Sequence, residues 1–314
     1  MPIYILIYTL SNILGNISLL LYLPKYISKI KIKSLNLIRH IKPTIALFIP
    51  QIAIQVYTIL DKTMLGNILG DMNEVGNYEQ SQKIVKVALT VITSLGTVVS
   101  PRIANTAANG EKVEGYLQKS FRFVWMLGFP IMLGLISTAK TIVPWFLGQG
   151  YEISISLVMI GSLLIMAIGM NNITGIQYLV QVKKQNLFTK SVIIGAIVNF
   201  ILNLIMIQIF KSKGAIITSV VAEITIFIVQ LFYVRKDFNV RIVYKDSSKY
   251  IISGIVMFII TFIMGNKMNP TVTSTIIQIV IGIGIYGFSL IILKDSFVKG
   301  IMIKIKSKFI KENN

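Results

Sequence analysis

The chain contains no cysteine, which excludes disulfides, thiolate metal sites and thiol nucleophiles. Its single histidine, His40, sits in a lysine-rich stretch, so imidazole-based acid–base chemistry has little to draw on. Charge is also scarce: charged residues make up 14% of the chain against 54% hydrophobic, with a mean hydropathy of +0.74. That is too apolar for a soluble domain of 314 residues. The short runs of alternating polarity that mark a transmembrane β-barrel are missing too. Acids are the rarest charged class, 12 against 31 Lys and Arg, for a formal charge of +19. Such an excess can mark a nucleic-acid surface, but here it is concentrated between apolar runs, where basic residues orient membrane helices. No nucleic-acid partner, metal or cofactor is expected.

What is present is a series of apolar stretches of about 20 residues, the length a helix needs to cross the hydrocarbon. The fold class is all-α, a polytopic transmembrane helical bundle of about nine spans: 3–23, 44–66, 81–101, 123–146, 155–179, 191–209, 215–234, 250–264 and 272–293. Alternating the loops puts 24 of the 31 Lys and Arg on one side and three on the other, with Lys62, Lys83, Lys86 and Lys140 inside spans. The basic side is cytoplasmic by the positive-inside rule, so the N-terminus is expected outside and the C-terminus in the cytoplasm. Met1 to Leu10 carries no charged n-region and does not read as a signal peptide. An odd span count starting outside suits a chain whose upstream helices are absent. In the tail, Phe297, Val298, Ile301, Met302, Ile305 and Phe309 share one helical face with lysines around the rest, an amphipathic pattern for an anionic leaflet. The Lys25–Lys42 linker mixes Ile and Lys in the same way.

The second apolar stretch carries groups that lipid should reject. At about 100° per residue, Gln51, Gln55, Thr58 and Lys62 fall on one face. Polar side chains at bilayer depth belong in a bundle interior or a wet cavity, so this helix is expected to line a cavity. The third span places Lys83, Lys86, Thr90, Thr93 and Thr97 on one face. If Lys83 and Lys86 turn inward beside Lys62, three ammonium groups make a cationic cavity suited to an anionic solute such as diphosphate. The alternative is that Lys83 and Lys86 snorkel to water. Asp61, one position off the polar stripe, is placed to pair with a lysine. Glu223 lies mid-span, where a carboxylate must be protonated, paired or wet. Asn199 and Asn203, at i and i+4, read as helix-to-helix hydrogen bonders, with Asn171, Asn172 and Gln177 as secondary candidates. Pro50, Pro101 and Pro130 are kink positions.

Several segments together resemble a known family: the run from Gln55 through Asp61 and Lys62 to Gly66, Gly76 to Glu79, Gly128-Phe-Pro130 to Gly134, Pro144-Trp145 to Gly148, and Asn199 to Asn203 ahead of Gly214 to Glu223. In order and spacing they look like bacterial polysaccharide flippases of the polysaccharide transporter family, within the multidrug, oligosaccharidyl-lipid and polysaccharide exporter superfamily. The resemblance implies two six-helix lobes around a central cavity. On this chain residues 1–43 would be the last helix of a first lobe plus a basic linker, 44–234 a six-helix lobe, 235–293 two additional helices, and 294–314 an amphipathic basic tail, with about five N-terminal helices lacking.

The implied function is flipping an undecaprenyl-diphosphate-linked oligosaccharide for capsule or exopolysaccharide synthesis at the cell membrane, by alternating access. Gln51, Gln55 and Thr58 would contact sugar, Lys62, Lys83 and Lys86 the diphosphate, while Asp61 and Glu223 would be coupling or structural groups. Membrane lipids, a polysaccharide polymerase and chain-length machinery are the expected partners. The rival readings are a multidrug or cation exporter of the same superfamily, kept open by Asp61 and Glu223, a non-functional transporter fragment, and a membrane enzyme. The enzyme is disfavoured because the longest outer loop, 67–80, offers three acids and no base.

Overall fold

The computed structural model describes residues 2–22, 24, 38–245 and 247–295. The linker at 25–37 and the tail from 296 onward, where amphipathic helices are expected, lie outside the described residues. The described residues are helical and contain no strand. The chain divides at residue 45 into two parts. The first is built on α1, Pro2–Leu20, which starts on a proline, where a missing N–H costs nothing. Its polar side chains bond within the helix: Asn12 Nδ2 donates to the Tyr8 carbonyl (2.9 Å) and Ser18 Oγ to that of Gly15 (2.7 Å). Leu6, Ile7, Leu10, Ile13, Leu14, Ile17 and Leu20 are exposed along it.

The second part is a bundle of long rods. Helix α2 is Ile38–Leu69 and α3 is Met72–Ala108. Between them lie only Gly70, in the left-handed region (φ +63°), and Asp71, which caps α3 by accepting from the Asn73 N–H at 2.9 Å. The expected outer loop over 67–80 is therefore mostly helix. One continuous rod then comprises α4 (Glu114–Phe123), a π-helical segment Val124–Gly128 and α5 (Phe129–Leu147). The widened turn sits just before Pro130, which has no N–H to give to the α ladder. A second rod comprises α6 (Glu152–Gly161), α7 (Leu163–Asn171) and a π-helical segment Asn172–Val180.

Helix α8, Gln185–Val234, folds back on itself at Lys211 (φ 53°, ψ −132°). Its halves run antiparallel: Asn203 bonds to Thr218, and a Cβ on Gly195 would lie 2.3 Å from Ile226 Cγ1. Gly195 thus lets two backbones approach as small residues do in membrane bundles. A 3₁₀ turn, Val240–Val243, leads into α9 (Ser247–Gly265) and α10 (Val272–Ile292). Each of the nine apolar segments read from the sequence falls on one of these rods. Among the described residues, six helices are long and apolar enough to cross a membrane, α8 counted once.

Polarity is inverted relative to a soluble protein. Outward positions carry Ile201 and Ile205 on α8, Ile259 and Ile263 on α9, and Val280 and Ile283 on α10, all more than 45% exposed. An apolar surface of that extent does not persist in water, and the chain is a multi-pass membrane protein. Inside, Leu65, Ile103, Leu117 and Phe121 are fully buried alongside a set of buried polar side chains. At one end of the bundle the basic segments meet. Lys184 pairs with Asp237 at 2.7 Å, Arg122 with Asp295 at 2.9 Å, and Trp125 Nε1 donates to the Val243 carbonyl at 2.7 Å. At the other end Ser212 donates to Glu74, Lys140 Nζ to Asn266 Oδ1 (2.8 Å) and Trp145 Nε1 to Thr275 Oγ1 (2.9 Å). Of the loops that the charge count assigned to one face, 102–122, 183–190 and 235–249 share one end; most of the 25–42 linker lies outside the described residues.

Helices α9 and α10 dock on α5 through Gln278, which is fully buried. Its Nε2 donates to the carbonyls of Ser137 (3.1 Å) and Thr261 (2.8 Å), while its Oε1 accepts from Thr141 (2.7 Å). With no water at this depth, such a side chain is held only if every polar atom finds a partner.

Candidate functional site

A cavity of about 310 Å³ opens between α2, α3, α7 with its π extension, and both halves of α8. Apolar side chains such as Ile54, Leu89 and Ile168 make most of its wall, and polar groups enter from every side: Gln55, Thr58 and Asp61 from α2, Gln82 and Lys86 from α3, Asn171 and Asn172 from the second rod, Glu223 and Gln230 from α8. Three of the four residues of the α2 stripe are accounted for. Gln55 and Thr58 line the cavity, Thr58 with its proton spent on the Ile54 carbonyl (2.7 Å) and its oxygen left as an acceptor. Lys62 lies one turn beyond, and the side chain of Gln51 lies outside the described ones.

Of the two arrangements left open for the lysines, the inward trio does not assemble in this structure. Lys62 and Lys83 both turn to Glu79, at 3.5 and 3.7 Å, and only Lys86 lines the cavity. The cause is the early start of α3, which makes Glu79 helical, one turn before Lys83 and facing Lys62 across the hairpin. A carboxylate between two ammonium groups draws both away from the interior, and partly exposed pairs of this kind add little stability. Lys86, a turn further in, is left as the ammonium at the cavity.

Asp61 is 2% exposed and, among the described residues, makes no pair with a lysine. Its Oδ2 accepts from Ser219 Oγ at 2.6 Å and Tyr78 Oη at 3.0 Å, and its Oδ1 from Asn203 Nδ2 at 2.6 Å. Tyr78 Oη accepts in turn from Gln82 Nε2 (3.0 Å), and Asn203 Nδ2 also reaches Asn199 Oδ1 (3.2 Å). Three elements, α2, α3 and both halves of α8, are thus tied to one carboxylate. Asn199 and Asn203 are both fully buried; Asn203 hydrogen-bonds between helices as expected, whereas Asn199 bonds to Asn203 on its own helix and its Nδ2 is buried with no hydrogen-bond partner among the described residues.

Glu223, 7% exposed, is paired with Asn171, whose Nδ2 donates to both the carboxylate (2.6 Å) and the backbone carbonyl (2.9 Å) of that residue. The same carboxamide leaves its Oδ1 buried without a partner.

The π-helical segment after Asn171 is the part of the site that periodicity could not show. It re-aims a stretch of the second rod so that Asn172 and Ile176 reach the cavity while Gln177 points into the protein. Ser120 Oγ donates to Gln177 Oε1 (2.8 Å), and Gln177 Nε2 donates to Asn172 Oδ1 (3.0 Å). Gly96 makes room for this, since a Cβ there would lie 2.7 Å from Asn172 Oδ1. Nearby, Thr174 donates to Gln230 Oε1 and Gln230 Nε2 to Ser191 Oγ (3.1 Å), so Gln230 is committed to the protein.

Residues 4–156 match the family described as polysaccharide biosynthesis protein. A putative O-antigen transporter of Escherichia coli strain K12 is 26% identical over 213 residues, covering 68% of this chain and 51% of that one. A probable low-salt glycan biosynthesis flippase, Agl15 of Haloferax volcanii, is 20% identical over 231 residues, 72% of this chain and 48% of that one. The chain therefore spans about half the length of the curated relatives it matches. The solved structure of the lipid II flippase MurJ, in an inward closed conformation, superposes with a TM-score of 0.71 at 19% identity, covering 90% of this chain and 60% of that one. In sequence the chain thus resembles proteins of polysaccharide biosynthesis and O-antigen transport, and its helical bundle is the fold of a membrane lipid flippase.

Proposed function

We propose that this chain forms the cavity-bearing lobe of a plasma-membrane flippase that moves an undecaprenyl-diphosphate-linked oligosaccharide from the inner to the outer leaflet, for capsule or exopolysaccharide assembly. The observation that supports this best is a cavity into which polar groups and one ammonium project from a mostly apolar wall, inside a bundle whose outer surface is apolar. Carrying a diphosphate and sugars through hydrocarbon without such shelter costs many kcal/mol for the charges alone. A cavity lined by Lys86, Gln55 and the oxygen of Thr58 replaces part of the lost hydration, while the lipid tail stays in the bilayer. No bond is made or broken, so the role is transport rather than catalysis.

In this reading residues 1–43 are the last helix of a first lobe plus a basic linker, 44–234 are the second lobe, 235–293 two added helices, the N-terminus faces outward, and the rest of the first lobe supplies the facing wall. Asp61 anchors α2 to α3 and α8, and Glu223 faces the substrate path as a coupling group. The reading is tested in a strain lacking its own capsule flippase. Expression together with the remaining lobe is expected to restore surface polysaccharide. Failure to restore it, with the protein present in the membrane, refutes the proposal. A cation or drug exporter is the second reading, favoured by the carboxylate of Glu223 at the cavity; gained resistance to cationic dyes without restored polysaccharide would select it.

A further inference from the structure

Resting on the flippase reading, we infer that Asn172 is a glycan-reading hydrogen-bond donor, held apart from the charged pole of the cavity at Lys86. Its carboxamide is fixed from behind: Ser120 spends its proton on Gln177 Oε1, which directs Gln177 Nε2 to Asn172 Oδ1. With the carbonyl consumed at the wall, the Nδ2 group has no protein partner among the described residues, and Asn172 lines the cavity. Ser120 is fully buried and Gln177 nearly so, so the relay is built into the protein interior rather than exchanged with solvent. Gly96 is the space that lets the carbonyl lie against α3. A donor locked in place before the ligand arrives loses less entropy on binding than a free side chain.

The chemistry it fits follows from its neighbours. Asn171, on the same cavity wall, adds no second group for a ligand: its Nδ2 is spent on Glu223 and its Oδ1 is buried. A single neutral donor suits the oxygen of a sugar hydroxyl or of an acetamido group, both of which accept. A diphosphate is held better by an ammonium, whose hydrogen bonds are charge-assisted. The level on α3 agrees: Asn172 sits against Gly96, roughly 15 Å along the helix from Lys86 at 1.5 Å per residue. A diphosphate held by Lys86 leaves Asn172 facing the sugars. Gln177 and Ser120 are positioning residues in this scheme.

The test is equilibrium binding to the chain co-purified with the remaining lobe in lipid nanodiscs, read by native mass spectrometry. Two probes are used: undecaprenyl diphosphate, and the same lipid carrying an N-acetylglucosamine-containing trisaccharide. The unmodified chain is expected to prefer the glycan-bearing lipid. Asn172→Ala and the near-isosteric Asn172→Asp should each weaken binding of that lipid about tenfold, the loss of one hydrogen bond to a buried partner, and leave the bare lipid unchanged. Ser120→Ala, which only loosens the relay, should give a smaller loss with the same selectivity, whereas Lys86→Ala should weaken both lipids alike. Equal effects of Asn172→Ala on the two lipids, no effect on either, full binding by Asn172→Asp, or no preference in the unmodified chain would each overturn the inference and leave the flippase reading standing. Failure of the unmodified chain to bind either lipid removes the flippase reading, and the inference with it.

Discussion

Asp61 is held by three neutral donors, and the consequence at the scale of single residues is that its role rests on accepting rather than on pairing with charge. Asp61→Ala strands Ser219, Tyr78 and Asn203, at about 1–3 kcal/mol for each group left buried and unsatisfied. Asp61→Asn keeps two acceptor lone pairs and the same shape. Thermal unfolding in detergent is expected to show a much lower midpoint for the alanine variant than for asparagine; equal midpoints would mean the hydrogen bonds do not hold α2 in place. The lysines divide by the same geometry. Lys86 reaches the cavity while Lys62 is occupied by Glu79, so Lys86→Ala should cut transport of a lipid-linked oligosaccharide by an order of magnitude or more, the range for loss of a charge-assisted hydrogen bond. Lys62→Ala should leave most of it. A leaflet-access assay in proteoliposomes holding the complete transporter reads the difference, and the reverse order would place the diphosphate elsewhere.

At the scale of elements, the second half of the bundle depends on close backbone approach. Gly195 sits against Ile226 and the Ala222 carbonyl, and its replacement by valine cannot be absorbed by one flexible side chain because the backbone of the facing half is also near. Gly195→Val should push apart the halves of α8, shift Asn203 and Ser219 away from Asp61, and cost about 1–3 kcal/mol for overpacking. Reduced yield of folded protein by fluorescence size-exclusion chromatography, rescued in part by Ile226→Ala, checks it; no rescue would show that the strain lies elsewhere. Pattern alone gave these elements well. Each apolar segment became a helix, because 20 apolar residues in lipid leave the backbone no other partner for its N–H and C=O groups. The boundaries shifted where local chemistry intervened: Asp71 capping α3 turned an expected outer loop into helix, and the missing N–H of Pro130 accompanied a π turn. The π segment after Asn171 was not legible, since a 100° repeat places Asn172 on a face that the wider turn rotates away.

For the whole molecule, the sidedness expected from charge is consistent with which of the described loops share an end. The absence of cysteine makes it directly measurable. Single cysteines at Gln149 and Asn269 are expected to react in intact cells with a membrane-impermeant maleimide, while those at Lys112 and Lys236 should react only after permeabilisation. The opposite pattern would invert the topology and place Lys86 near the cytoplasmic mouth of the cavity.

Composition and the spacing of apolar runs determined by themselves that the chain is a helical membrane bundle, which helices it has and which of their faces are polar. Those properties are local: they depend on hydropathy summed over 20 residues and on a fixed angle per residue. Tertiary structure alone decided which polar groups are spent on the protein and which remain for a ligand. Glu79 removes two lysines from the cavity, Ser219 and Tyr78 claim Asp61, and the relay from Ser120 turns Asn172 outward. The physical reason is that a polar side chain in a low-dielectric interior is committed by its nearest complementary neighbour. That neighbour lies on another helix, at a sequence distance no period can encode.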